Sequence, residues 1–97
     1  MTAPALTPEA VSVALVAADF APYDPTDLEN PEGFAIRVPD LMDAIVVELK
    51  GVDLLEHGGP GSWPRALINR YAEALKVAGY SARVVVDDVI VTAKTED

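Results

Sequence analysis

The feature that most constrains the fold is a pattern that occurs twice, a helix followed by two strand-like segments. The first helix is predicted to start at Thr7-Pro8-Glu9, which offers a hydroxyl N-cap, a proline in the first turn and an acid near the positive end of the helix dipole. It runs to about Ala18. The second helix is predicted over 63–78, because Ser62 can cap its start and Gly79 can end it in a left-handed conformation.

Each predicted helix carries one apolar stripe, which indicates burial against a common core. The first stripe consists of Val11, Ala14, Leu15 and Ala18. The second consists of Leu67, Ile68, Tyr71, Leu75 and Ala78, with Trp63 packed one turn before Leu67. The outward side chains of the second helix are Arg65, Asn69, Arg70, Glu73 and Lys76. Glu73 is three residues from both Arg70 and Lys76, which favours ion pairs along the helix over nucleic-acid contact.

Four segments alternate as strands do and predict two antiparallel hairpins. These segments are 33–39, 44–50, 82–86 and 89–93. The first pair is joined through the residues PDLMD, and the second through a two-residue turn at Asp87-Asp88. That turn places Val85 opposite Ile90.

A short internal echo links the two halves of the chain. Residues 15–20 line up with residues 75–80, and in both places a helix ends in a small residue, a turn-former and an aromatic ring. Internal duplication and convergent use of a common helix ending are both consistent with this echo. In either case we predict a single α+β domain over 1–97. Two helices pack on one face of a four-stranded antiparallel sheet, in the order αββαββ.

The second hairpin is predicted to place apolar side chains on the sheet face that lies away from the helices. Alternation puts Val85 and Ile90 on that face, beside Arg83 and Thr92. Ala44 and Val46 are left over from the first hairpin in the same way. Because an exposed apolar face usually meets another protein, Val85 and Ile90 are candidate partner-binding residues. Cover by the acidic loop or by residues 52–61 is the alternative.

An acidic, proline-rich loop is predicted between the first helix and the first strand. Residues 19–32 hold three prolines and five acids but no base. Proline interrupts both helices and internal strands, so we expect an extended surface loop. Its candidate partner-binding acids are Asp24, Asp27, Glu29 and Glu32. Calcium is an alternative ligand for these acids, but the spacing of an EF-hand is absent and no metal site is predicted.

The net charge of −9 comes entirely from the first part of the chain. Residues 1–61 hold eleven acids against Arg37 and Lys50, whereas residues 62–97 hold five acids and five bases. Such a charge repels free nucleic acid and anionic membranes and favours basic partners. We therefore expect a protein partner, no direct nucleic-acid contact and no membrane contact. An inhibitor that mimics nucleic acid is a further alternative.

One short motif raises the question of enzymatic activity. The sequence HGGPG, within residues 55–61, resembles the oxyanion-hole loop of proline-iminopeptidase-like α/β-hydrolases. However, no G-x-S-x-G is present, and the sole histidine, His57, belongs to the loop itself, so no base remains for a triad. The chain also has no cysteine. We expect a permissive glycine-rich loop over 57–61, no enzymatic activity and no cofactor.

The terminal segments predict a protein of the cytoplasm. The first ten residues contain neither a basic region nor an apolar run, so they do not resemble a signal peptide. No segment reaches the roughly 20 apolar residues that span a bilayer. We expect the tail over 94–97 to be frayed.

The last third of the chain carries a resemblance to a broad group of proteins. The helix–hairpin sequence YAEALKVAGYSARVVVDDVIV, in a chain rich in Ala, Val, Asp and Pro, resembles small proteins of actinobacterial phages and prophages. The resemblance implies an accessory protein that binds a host or phage protein in the host cytoplasm. It equally implies a virion subunit, such as a component of a head–tail connector or tail ring. Both act through protein contact, with another protein or with copies of the chain as a homodimer or ring.

Overall fold

A computed structural model describes residues 5–28, 32–40, 43–52, 59 and 61–93. The elements are α1 Pro8–Ala17, β1 Gly33–Arg37, β2 Ile45–Lys50, α2 Trp63–Val77, β3 Tyr80–Val85 and β4 Asp88–Ala93. The predicted α+β class and αββαββ order are therefore confirmed. The predictions for Glu29, for His57 and for the tail over 94–97 fall outside the described residues.

Both helices start where the capping residues predicted. Thr7 Oγ1 accepts a hydrogen bond from the amide of Ala10 at 3.1 Å, which satisfies one of the free amides of the first turn of α1. Ser62 Oγ accepts from the amide of Arg65 at 3.5 Å, the longer and weaker of the two contacts.

Three residues of the predicted inward stripes are exposed instead. Ala18 and Ala78 lie one residue beyond the ends of α1 and α2, where the chain already turns away from the core. Trp63 is 56% exposed, because it is the first residue of α2 and the buried side chain at this end is Pro64. The stripes were therefore correct within the helices and wrong at their ends.

One apolar core lies between the helices and one face of the sheet. Its most deeply buried members are Val11, Leu15, Ile68, Tyr71, Leu75, Val47, Val89 and Val91. Burying side chains of this size stabilises a fold by roughly 1.5–3 kcal/mol each. Both helices and the two central strands contribute to this core, so it joins the two halves of the chain.

The four strands form one antiparallel sheet in the order β1-β2-β4-β3. The two hairpins meet through their second strands, in four pairs that include Val46 with Ile90 and Glu48 with Asp88. The other two pairs are Ile45 with Val91 and Val47 with Val89. An antiparallel pair of hairpins joined in this way has an approximate twofold arrangement.

The turn of the second hairpin differs from the prediction. The chain turns at Val86-Asp87 rather than at Asp87-Asp88, and Val85 pairs with Asp88 rather than with Ile90. The predicted register was thus wrong by two residues. A shift of two residues keeps every side chain on the same face of the sheet, so the alternation of the sequence could not distinguish the two registers.

A contact from α2 holds the observed turn. The Arg65 guanidinium donates to the carbonyl of Val86 at 2.6 Å and pairs with the carboxylate of Asp87. Val86 has φ 57°, a left-handed conformation that is strained for a β-branched residue. We attribute the position of the turn to this tertiary contact, which cannot be predicted from a local sequence pattern.

The acidic loop begins by pairing with the edge of the sheet. The amide of Tyr23 donates to the carbonyl of Phe34 at 2.8 Å, and the amide of Phe34 donates to the carbonyl of Ala21 at 3.2 Å. A Cβ atom on Gly33 would lie 2.5 Å from the backbone nitrogen of Tyr23. The absence of a side chain at Gly33 therefore permits this close approach, which covers part of the β1 edge.

Candidate functional site

An open cleft of about 440 Å³ lies between the start and end of the acidic loop and the outer side of α2. We call it the acidic cleft. It is lined by Asp19, Phe20, Ala21, Pro22, Asp27, Glu32, Gly33, Leu67, Arg70 and Tyr71. Three carboxylates and one guanidinium give it a formal charge of −2 at neutral pH.

Aromatic packing builds one wall of the acidic cleft. Asp19 takes a left-handed conformation with φ 71°, and the amide of Phe20 then donates to the carbonyl of Leu15 at 3.1 Å. This helix ending turns Phe20 back toward α2. The ring of Phe20 meets the ring of Tyr71 edge to face at a centroid distance of 4.9 Å, and Phe34 contacts Tyr71 from another side at 6.2 Å.

Tyr71 is a buried side chain whose hydroxyl has no hydrogen-bond partner among the described residues. The residue is 2% exposed. Every fully enclosed polar side-chain atom in the described ranges has a hydrogen bond, so the Tyr71 oxygen must be open to the cleft that it lines. The other buried tyrosine, Tyr80, donates its hydroxyl to the carbonyl of Ala5 at 2.8 Å. Tyr71 therefore presents an available donor and acceptor at the base of the acidic cleft.

The pKa of Tyr71 is consistent with this position. Burial, and to a smaller extent the nearby negative charge of Glu32, raises the pKa of Tyr71 to about 12. The hydroxyl thus stays protonated at every physiological pH. Glu32 and Tyr71 both line the acidic cleft.

Arg70 forms the rim of the acidic cleft. Its guanidinium carbon lies 5.5 Å from the centroid of the Phe20 ring, within the range of a cation–π interaction. The predicted ion pairing along α2 is found for Glu73 and Lys76, whose charged atoms are 3.3 Å apart. In the described part of the chain Arg70 makes no ion pair with Glu73 and stacks on Phe20 instead.

The predicted partner-binding acids divide into two groups. Asp27 and Glu32 both line the acidic cleft. Asp24 lies outside it, and its Oδ1 accepts hydrogen bonds from the hydroxyl and the amide of Thr26 at 2.6 and 2.9 Å. These two bonds lower the pKa of Asp24, whose carboxylate thus stabilises a turn within the loop. Glu29 is outside the described residues.

Ion pairing differs between the acidic surface and the rest of the described chain. Within the described ranges, Asp19, Asp24 and Glu32 make no ion pair with any lysine or arginine. Most cations are instead paired elsewhere. The pairs are Arg37 with Glu48 and Asp88, Lys50 with Glu48, Arg65 with Asp87, and Lys76 with Glu73. The lining residues of the acidic cleft thus keep a net negative formal charge, which Arg70 offsets only in part.

The sheet face away from the helices is less apolar than its sequence suggested. Val46 is only 2% exposed, and Ile90 is half-buried beside it. Glu48 bridges two cations on this face, with Oε1 3.2 Å from Arg37 Nε and Oε2 3.5 Å from Lys50 Nζ. The exposed apolar surface is confined to the end of β3, where Val85 is 41% exposed. The two predicted residues on this face, Val85 and Ile90, thus do not form a broad apolar patch.

Asp88 belongs to the same charged face. Burial, followed by the negative charge of Glu48, raises the pKa of Asp88, and Arg37 at 3.9 Å opposes this effect. The charges on this face therefore compensate one another locally, in contrast to those of the acidic cleft.

No group of three or more histidine or acidic side chains in the described ranges is arranged to hold a metal ion. Asp53, Glu56 and His57, which are near one another in the sequence, lie outside those ranges.

Eight of the ten residues that line the acidic cleft were not identified as site residues from the sequence. Tyr71 matched the core stripe, Arg70 matched the solvent face, and Asp19 and Phe20 matched a helix ending. The one sequence feature that could have indicated the cleft is Phe20, an aromatic residue that follows a helix ending. Such a residue packs back on its own helix or on the next one. The direction in which it packs depends on the tertiary fold.

The fold and site define an α+β domain of two helix–hairpin units with an acidic cleft beside the second helix. No known protein family, curated protein or solved structure matches this chain. In the described part of the chain, neither helix combines the length and apolar character that crossing a membrane requires.

Proposed function

We propose that this protein is a non-enzymatic binding module that engages a basic protein through the acidic cleft and the adjoining loop. The observation that carries the proposal is that Asp19, Asp24 and Glu32 make no ion pair within the described residues, while four cations elsewhere are already paired. Complementary charge across an interface speeds association and selects partners.

A basic partner also explains why the acids surround a concave site. Carboxylates that are desolvated on binding are costly unless a cation replaces the lost water. The acidic cleft supplies apolar walls from Phe20 and Leu67 next to its carboxylates. Charge and apolar contact are thus available at one place, which a merely solubilising acidic surface does not require.

The proposed partner is a different protein rather than a second copy of this chain. Two copies would bring two clefts of equal negative charge together, and like charges disfavour association. The sheet face that was the basis for expecting a homodimer or ring carries the ion pairs of Glu48 with Arg37 and Lys50, and its Val46 is only 2% exposed. These observations favour an accessory binding protein over a self-assembling virion subunit.

The proposal is tested with two triple variants of equal net charge. Asp19→Asn/Asp27→Asn/Glu32→Gln removes the carboxylates of the cleft, and Glu9→Gln/Asp40→Asn/Asp43→Asn removes three exposed acids elsewhere. Both raise the net charge of −9 by three. Each tagged variant is used to capture proteins from its native host, and capture is quantified by mass spectrometry against the unmodified chain.

We expect the cleft variant to lose specific partners that the control variant retains. Capture by the unmodified chain should also weaken as salt is raised, because exposed charges are screened beyond about 10 Å at 0.1 M ionic strength. Equal capture by both triple variants would show that the acidic cleft is not the binding surface. A closed ring in light scattering would favour the virion subunit instead.

A further inference from the structure

The unpartnered hydroxyl of Tyr71 identifies the chemical group that the acidic cleft accepts. We infer that the cleft binds a lysine side chain of the partner, with the ammonium group between the Tyr71 hydroxyl and the Glu32 carboxylate. This inference rests on the proposed function, since it names the residue type that a basic partner inserts.

The polar end of the cleft matches the hydrogen-bonding needs of an ammonium ion. A lysine ammonium has three donors and no acceptor. The Tyr71 oxygen can accept one hydrogen bond, and the carboxylate of Glu32, which lines the same cleft, can accept others. The Tyr71 oxygen is open to the cleft and bonds to no described residue, so a bound ammonium group can donate a hydrogen bond to it.

The apolar wall of the cleft matches the stem of the same side chain. Lysine carries its charge on four methylene groups, which bury well against apolar surfaces while the ammonium group stays hydrogen-bonded. Leu67, Phe20 and Pro22 line the cleft beside the acids. A simple metal cation would make no use of these walls.

Arginine is the less suitable ligand because its favoured contact is already occupied. A guanidinium binds best when it stacks on an aromatic face or pairs with a carboxylate through two parallel bonds. Arg70 of the protein itself already stacks on the ring of Phe20. A compact ammonium needs no aromatic face and fits between separate acceptors.

The test measures binding of short peptides to the isolated protein by chemical-shift titration. The probe is the capped tripeptide Gly-Lys-Gly, compared with versions that carry Nε-acetyl-lysine, norleucine or arginine at the centre. We expect saturable binding of the lysine peptide, with shifts at residues 19–23, 32–33 and 67–71. The acetyl-lysine and norleucine peptides should not bind, and the arginine peptide should bind more weakly.

Three variants locate the bound ammonium. Tyr71→Phe should weaken the lysine peptide about tenfold, the usual effect of losing a hydrogen bond to a charged group. Tyr80→Phe removes the other buried hydroxyl, which bonds to Ala5 instead, and should leave affinity unchanged. Arg70→Gln removes a like charge from the rim and should strengthen binding about threefold. Tyr71→Phe should fold normally, because its hydroxyl has no hydrogen bond to lose.

The outcomes separate this inference from the proposed function. Equal affinity of the lysine peptide for Tyr71→Phe and the unmodified chain, or equal binding of the norleucine peptide, overturns the lysine site. If the cleft triple variant still loses its partners in that case, the acidic surface remains a binding surface without a lysine pocket. If peptide binding depends on Tyr71 but partner capture does not depend on the cleft, the proposed function is the part that fails.

Discussion

The two helix–hairpin halves of the molecule share a scaffold and differ by one insertion. In the second half the chain passes from Gly79 directly into β3 at Tyr80. In the first half it passes Asp19 and Phe20 and then runs through residues 21–32 before β1 begins. That additional segment supplies part of the acidic cleft. The proposed function therefore depends on residues 21–32, the segment that only the first half contains.

The aromatic residues that follow the two helices show a second difference between the halves. Phe34 lies in β1 and Tyr80 begins β3, and both side chains are buried in the common core. The sequence echo had aligned Phe20 with Tyr80. Phe20 instead packs on Tyr71, so the echo records a shared helix ending rather than a shared position in the sheet.

The largest effect is expected from truncating the equivalent core leucines. Leu15 in α1 and Leu75 in α2 are both 0% exposed. Leu15→Ala and Leu75→Ala should each lower the free energy of unfolding by about 2–5 kcal/mol, because each leaves a cavity in one common core. Urea denaturation measures both values. A loss below about 1 kcal/mol for Leu15→Ala alone would show that α1 is not part of the cooperative core.

A smaller effect is expected where the inserted segment meets the sheet. Gly33→Ala should cost about 1–3 kcal/mol, since its Cβ would displace the backbone that packs against it. Gly59→Ala is the matched control, because no described atom lies within 4 Å of the added Cβ, and it should stay within about 0.5 kcal/mol. Thermal unfolding measured for both variants tests the difference. Equal stabilities would mean that the insertion is not held against β1.

Substitutions at the two helix endings should change the free energy of unfolding in opposite directions. Asp19 and Gly79 both have positive φ, at 71° and 104°. Asp19→Gly should stabilise the fold by up to about 1 kcal/mol by relieving strain, and Gly79→Ala should destabilise it by about 1 kcal/mol or more. The midpoints of urea denaturation report both changes. Destabilisation by Asp19→Gly would indicate that the aspartate side chain itself holds the ending.

The smallest effect is expected at the phenol of the cleft. Glu32→Gln should lower the pKa of Tyr71 from about 12 only in part, because burial is the larger cause of the shift and persists. Ultraviolet titration of tyrosinate, with Tyr71→Phe to assign the transition, measures this change. An unchanged pKa would place Glu32 too far from the hydroxyl to share a ligand.

The raised pKa of Tyr71 also determines how its contribution to stability changes with pH. Since the folded-state pKa of Tyr71 lies above its ordinary value of 10.0, the protonated phenol favours the folded state. Its contribution is complete below pH 10 and is lost as the pH rises from 10 to 12. Tyr71→Phe should therefore flatten the fall in stability over this interval, when measured by urea denaturation at several pH values.

The sequence predicted the parts of the fold that depend on local patterns. Thr7 and Ser62 marked the helix starts, and the period of two marked all four strands. The turn at Val86 was missed because a contact from Arg65 selects among registers that local patterning treats as equal. The acidic cleft was foreseen only as a charged loop, since the orientation of Phe20 depends on packing between distant segments.

The most direct test of the central claim compares the two halves in one titration. Amide chemical shifts of the labelled protein are recorded as decalysine is added at low ionic strength. Binding at the insertion predicts saturable shifts at residues 19–23, 27, 32–33 and 67–71, with the β3–β4 hairpin unchanged. Shifts of equal size at Glu9, Asp40 and Asp43, or shifts confined to the β3–β4 hairpin, would contradict it.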